Sequence, residues 1–266
     1  MEPSPDPSPT SSELQRVVAG TGPTVVLAHG FTQTLVSWDP VTLDLATDNQ
    51  VIAADLPGHG GSAHVGADLT RSAALLGEAA GPAVYVGYSM GGRVALRLAL
   101  DRPELVRGLI LIGATAGIDD PTERAERRAA DEVLATRIER DGVERFVTAW
   151  LDQPLFAGLD VSPHDLAARL TNTPDGLASS LRHAGTGTMD PPWWDELPDV
   201  RAPTLVVAGA LDTKFTGLGR RLVDGIGGGL APARLELVAD VGHAAHLQAP
   251  RAIAALIRDH VASLDR

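Results

Sequence analysis

The pentapeptide Gly87-Tyr88-Ser89-Met90-Gly91 constrains this chain more than any other stretch. The apolar run Ala83-Val84-Tyr85-Val86 leads into it, and a helical pattern over residues 93–100 leaves it. A G-x-S-x-G sequence between a strand and a helix makes a sharp turn with the serine hydroxyl projecting from its apex. Glycine is wanted on either side, where a Cβ would collide with neighbouring backbone. A serine in an ordinary glycine-rich loop is the plainer reading. The strand before it and the helix after it favour a nucleophile or base.

Around this turn, strand-like and helix-like segments alternate. Apolar runs at Thr24–Ala28, 51–56, 83–86, 108–112, 204–208 and 234–238 read as strands. Being apolar on both faces, they predict an α/β fold with a mostly parallel central sheet flanked by helices. From about residue 118 to 197 strand runs give way to segments rich in Ala, Arg, Glu and Leu. Helices are predicted from Pro121, and over Val143–Leu151, 162–170 and 175–181. This stretch is expected to be a helical cap inserted into a domain spanning residues 13–266. Residues 1–12 read as a disordered Pro/Ser tail. The run Gly225-Ile226-Gly227-Gly228-Gly229 reads as a flexible turn before the last strand.

Composition narrows the function classes. At 266 residues, with 44% apolar and 21% charged, the chain is long enough for a substantial core. It contains no cysteine, which excludes a disulfide framework, a thiolate metal site and a cysteine nucleophile. No apolar stretch approaches the roughly 18 residues of a membrane span, and the start of the chain lacks the pattern of a signal peptide. A cytoplasmic location is expected. The net charge of −12 disfavours nucleic acid and anionic membrane as partners. A small anionic substrate would need a local cluster of arginines working against that field. No metal-ligand spacing and no dinucleotide-binding glycine motif implies a cofactor.

A serine hydroxyl needs a general base, and the base needs an orienting carboxylate. On such a sheet the partners follow in the order serine, acid, histidine, each just beyond a strand. Asp212 follows the strand at 204–208, and His243 follows the strand at 234–238. Asp240 is a rival acid, and His246 a rival base. Gly242, in a tight turn, favours His243. His29-Gly30-Phe31 follows the first apolar strand, where the backbone N–H of Phe31 could join that of Met90 as an oxyanion hole; a plain strand-end turn is the alternative.

These residues together resemble the α/β-hydrolase superfamily over nearly the whole chain beyond residues 1–12. Within it, the chain is similar to the 2-succinyl-6-hydroxy-2,4-cyclohexadiene-1-carboxylate synthase family of menaquinone biosynthesis. The likeness is carried by Gly87 to Ala95, by Glu123 to Arg128, by Phe146 to Trp150 with Gln153 to Phe156, and by Gly176 to Arg182 with Gly185 to Met189. Asp212-Thr213-Lys214-Phe215 and Gly242-His243-Ala244-Ala245-His246 complete it. Gln248 departs from the family's usual glutamate. The resemblance implies a lyase that eliminates pyruvate from a tricarboxylate, with a triad of Ser89, Asp212 and His243. It also implies substrate binding by Arg93, Arg127, Arg169 and Trp150. Arg127 and Arg169 read equally as surface helix residues, Arg127 in an i,i+4 pair with Glu123. Trp150 reads equally as core, and Lys214 stays open. A serine esterase or C–C bond hydrolase of the same fold is the alternative. Oligomeric state leaves no trace in the sequence.

Overall fold

The computed structural model describes residues 13–264; the predicted Pro/Ser tail lies outside them. The strands are β1 (Arg16–Ala19), β2 (Thr24–Ala28), β3 (Gln50–Ala54), β4 (Ala83–Tyr88), β5 (Val106–Ile112), β6 (Thr204–Gly209) and β7 (Ala233–Val238). They form one sheet in the order β1-β3-β2-β4-β5-β6-β7. β1 pairs antiparallel with β3, and every other pairing is parallel.

The helices before the insertion are α1 (Asp39–Leu45), α2 (Leu69–Ala80) and α3 (Met90–Asp101). Then come α4 (Pro121–Asp141), α5 (Val143–Leu151), α6 (Pro163–Arg169) and α7 (Pro174–Ala184), followed by α8 (Thr213–Gly227), α9 (Ala245–Gln248) and α10 (Pro250–Ser263). Successive strand residues point to opposite faces, so the continuous apolar runs feed two cores. Val26, Ala28 and Tyr85 pack on the side of α2, α3 and α8. Val25, Leu27, Val84 and Val86 pack on the side of α1 and α10. The most central strands are therefore buried on both faces.

Three expectations change. β1 has no apolar run to announce it, because it is a short, mostly exposed edge strand. Two-sided burial fails at the other edge, where Arg234 and Leu237 of β7 are exposed. The glycine run is not simply a turn: Gly225 and Gly227 close α8. A Cβ on Gly225 would lie 2.6 Å from Leu197 Cδ1, so that glycine serves close packing.

Between β5 and β6 the chain runs through α4, α5, α6 and α7. Asp120 caps α4, its carboxylate accepting from the N–H groups of Thr122 and Glu123, and Pro121 sits in the first turn. Gly142, at φ 80°, ends the helix and turns the chain into α5. Ile138, Phe146, Val147, Leu177 and Leu181 give these helices a small core of their own.

Candidate active site

The serine turn is shaped by steric necessity. Ser89 stands at φ 51° and ψ −105°, a conformation costing about 1–3 kcal/mol that surrounding structure must enforce. A Cβ on Gly87 would lie 2.2 Å from Gly91 O, and one on Gly91 would lie 2.2 Å from Ala28 O. Both are backbone atoms that cannot yield. The Ser89 N–H donates to Ile112 O at 2.8 Å, pinning the apex to β5. Met90 opens α3, so its N–H has no acceptor within the helix. Among the described residues neither that N–H nor the Phe31 N–H finds a partner. Both are available to an oxyanion.

Asp212 and His243 meet beyond the ends of β6 and β7. The His243 Nδ1 lies 2.8 Å from Asp212 Oδ2, with the two side chains 3% and 7% exposed. An ionised carboxylate only accepts, so Nδ1 carries the proton and Nε2 is left as the basic nitrogen. Burial opposes ionisation of Asp212, but hydrogen bonds from His243 and the Phe215 N–H, with the nearby Lys214 cation, outweigh it. The carboxyl is held below its usual range. Gly113, at φ 56°, makes room for the imidazole: a Cβ there would lie 3.0 Å from His243 Cε1. Gln248, the departure noted above, accepts from the Gly242 N–H at 2.9 Å and donates to Gly158 O at 3.2 Å, bracing the histidine turn.

The rivals are placed elsewhere. Asp240 is an exposed turn residue at φ 56°. His246 is fully buried, its ring 4.2 Å from Tyr88 and 4.6 Å from Trp38, and burial pushes its pKa well below the usual value. His29 organises the neighbouring turn. Its Nδ1 lies 2.8 Å from Gly30 O, and its Nε2 accepts from the Leu56 N–H at 2.9 Å. That pattern fits a neutral ring, and burial lowers its pKa to about 4.

Ser89 and His243 border one cavity of about 320 Å³, together with Phe31 and Met90. Arg93, Arg127 and Trp150 also line it, so three of the four expected binding residues reach the site. Arg93 is buried and donates to Ala184 O at 2.6 Å. Burial lowers its pKa to about 9, with Arg127 adding to the effect and Asp131 opposing it; it remains a cation at neutral pH. The Arg127 Nε donates to Asp131 Oδ1 at 2.9 Å, so its ion pair runs to Asp131 and not to Glu123. Trp150 packs both ways, its ring 5.2 Å from Phe31 and 5.8 Å from Phe146.

Arg169 is the correction. It does not border this cavity and is not a surface residue. It is 2% exposed, with Nε donating to Asp165 Oδ2 at 2.7 Å and Nη1 to Thr32 Oγ1 at 2.7 Å. It clamps α6 onto the turn after β2. Of the lining residues outside the expected set two carry charge: Lys214, which sequence left open, and Asp131, which its i,i+4 spacing from Arg127 could have revealed. A second cavity of about 380 Å³ adjoins the first along Arg127, Thr186, Lys214 and Phe215. Among the described residues no cluster of three or more His, Cys, Asp or Glu could hold a metal ion. Nor is any described helix long and apolar enough to cross a membrane.

Comparison with known proteins bears on the fold and the family. A Bacillus subtilis protein provisionally called 2-succinyl-6-hydroxy-2,4-cyclohexadiene-1-carboxylate synthase is 32% identical, over 96% of this chain and 97% of its own length. The synthase of that name from Enterobacter sp. (strain 638) is 30% identical, over 88% of this chain and 90% of its own. Among solved structures, MenH from S. aureus superposes with a TM-score of 0.85 at 27% identity, covering 96% of this chain and all of that one. The alpha/beta hydrolase family model matches residues 25–256. With its serine turn and seven-stranded, mostly parallel sheet, this chain belongs to the alpha/beta hydrolase family.

Proposed function

We propose that the chain eliminates pyruvate from 2-succinyl-5-enolpyruvyl-6-hydroxy-3-cyclohexene-1-carboxylate, giving 2-succinyl-6-hydroxy-2,4-cyclohexadiene-1-carboxylate in menaquinone biosynthesis. Comparing the two names locates the chemistry. The double bond at ring carbon 3 becomes a diene at carbons 2 and 4, so a proton leaves carbon 2 and the enolpyruvyl oxygen leaves carbon 5. The carbon-2 proton is acidified by the succinyl carbonyl beside it. Asp212 orients His243, His243 Nε2 takes the Ser89 proton, and the Ser89 oxygen removes the carbon-2 proton. The N–H groups of Phe31 and Met90 stabilise the charge developing on the carbonyl oxygen. The electron pair moves through the ring and expels enolpyruvate, which takes up a proton to become pyruvate. No bond between Ser89 and substrate is needed.

The observation that carries this reading is the cavity's charge. In a chain of net charge −12, the cavity bordered by Ser89 and His243 gathers Arg93, Arg127 and Lys214 against the single carboxylate of Asp131. Such a lining suits a substrate with three carboxylates, and guanidinium groups pair with carboxylates bidentately. The names of the relatives supply the reaction. The second reading, a serine hydrolase, is favoured by the two unpartnered N–H groups, which would serve a tetrahedral intermediate equally well. An assay of the purified chain for pyruvate from the enolpyruvyl substrate, alongside simple carboxylate esters, separates them. Pyruvate release with weak ester cleavage supports the lyase; ester cleavage without pyruvate supports the hydrolase.

A further inference from the structure

Asp131 is a buried carboxylate that the elimination chemistry does not use. Its side chain is only 3% exposed and borders the cavity. Oδ1 accepts from Arg127 Nε, while Oδ2 has no partner among the described residues. A buried carboxylate with a single hydrogen bond is unfavourable. Burial accordingly raises its pKa, against the opposing effects of Arg127 and Arg93. The fold nonetheless keeps space for it: a Cβ on Gly185 would lie 2.5 Å from Oδ2.

The guanidinium geometry suggests why. Arg127 can offer a carboxylate either its Nε edge or the end-on pair of Nη groups. Asp131 occupies the Nε edge, so the end-on pair is left to face a ligand. We propose that Asp131 is a positioning residue that holds Arg127 by its Nε and presents its two Nη groups to a substrate carboxylate. The inference rests on the anionic-substrate reading above. It assigns opposite effects to two properties of one side chain: the hydrogen bond organises Arg127, whereas the negative charge weakens attraction for an anion. Asparagine keeps an acceptor oxygen without the charge, and alanine removes both.

The test is calorimetric titration of the full chain with citrate as a tricarboxylate probe, with KM and kcat for pyruvate release measured in parallel. Asp131→Ala is expected to weaken citrate binding about tenfold. Asp131→Asn should stay within about threefold of wild type, the acceptor being retained. In an Arg127→Ala background, Asp131→Ala should change the Kd by less than about twofold, since the group it positions is gone. Asp131→Ala should raise KM for pyruvate release while kcat stays within about threefold. Tighter citrate binding by both Asp131 variants would reduce the residue to a charge and overturn the proposal. So would equal weakening with and without Arg127, the mark of a purely structural role, or no citrate binding by wild type. If the expected citrate pattern appears but wild type releases no pyruvate, the substrate reading falls and the positioning role stands.

Discussion

The floor and the roof of the cavity are held by different forces. On the floor, Phe31, Ser89 and His243 follow the C-terminal ends of β2, β4 and β7, Met90 opens α3, and backbone contacts shape the serine turn. Gly87 and Gly91 leave no room for another atom, and Gly113 would admit one only by displacing the His243 ring. In the roof, α4 and α5 bring Arg127 and Trp150 to the cavity through side-chain contacts, an ion pair to Asp131 and an aromatic cluster. Such contacts can exchange partners at modest cost, whereas the backbone turns cannot. On the proposed reading, proton transfer rests on the rigid part and recognition draws on the adjustable one.

The contrast is sharpest for variants that remove chemistry and leave shape intact. Ser89→Ala is expected to lower pyruvate release by about 10⁴-fold or more with the melting temperature little changed; steady-state kinetics and a thermal melt on one sample check both. Arg169→Ala should do the reverse. It strips the buried Asp165 of its partner, a loss of about 3–5 kcal/mol that a urea titration reads, while KM should change less than about threefold because Arg169 does not border the cavity. An Arg169 variant that folds normally but loses substrate affinity would break the division of labour. Arg93→Ala, at the junction of floor and roof, should cost about 10²-fold in kcat/KM, with the loss smaller for an uncharged ester than for the tricarboxylate.

The smallest expected effect is a pH dependence of the floor. His29 has a folded pKa of about 4, below its ordinary value. Its unfolded form therefore binds the proton first. The stability conferred by the neutral ring is complete above about pH 6.5 and is lost as the pH falls toward 4, about 2 kcal/mol at pH 5. Urea titrations of wild type and His29→Asn at pH 7.5 and pH 5 check this, the variant showing the shallower change.

The same division explains what the sequence made legible. The serine turn, the two-sided strands and the order Ser89, Asp212, His243 were readable because each is a local pattern that backbone geometry demands. Side chains whose partners lie far along the chain were not. Nothing near Arg169 announces that Thr32, over a hundred residues earlier, will bury it. The role of Gly225 depends on Leu197 across a helix contact. β1 escaped because an exposed edge strand has no apolar run. Asp131 is the instructive middle case: its spacing from Arg127 was visible, but only burial shows it to be more than a surface ion pair.

The central claim is that the Ser89 oxygen acts as a base toward a proton on carbon. Single-turnover release of pyruvate from substrate deuterated at ring carbon 2 tests it most directly. The account predicts slower release from the deuterated compound by wild type, and none above background from Ser89→Ala. Equal rates for the two isotopes, or undiminished release by the variant, would contradict it.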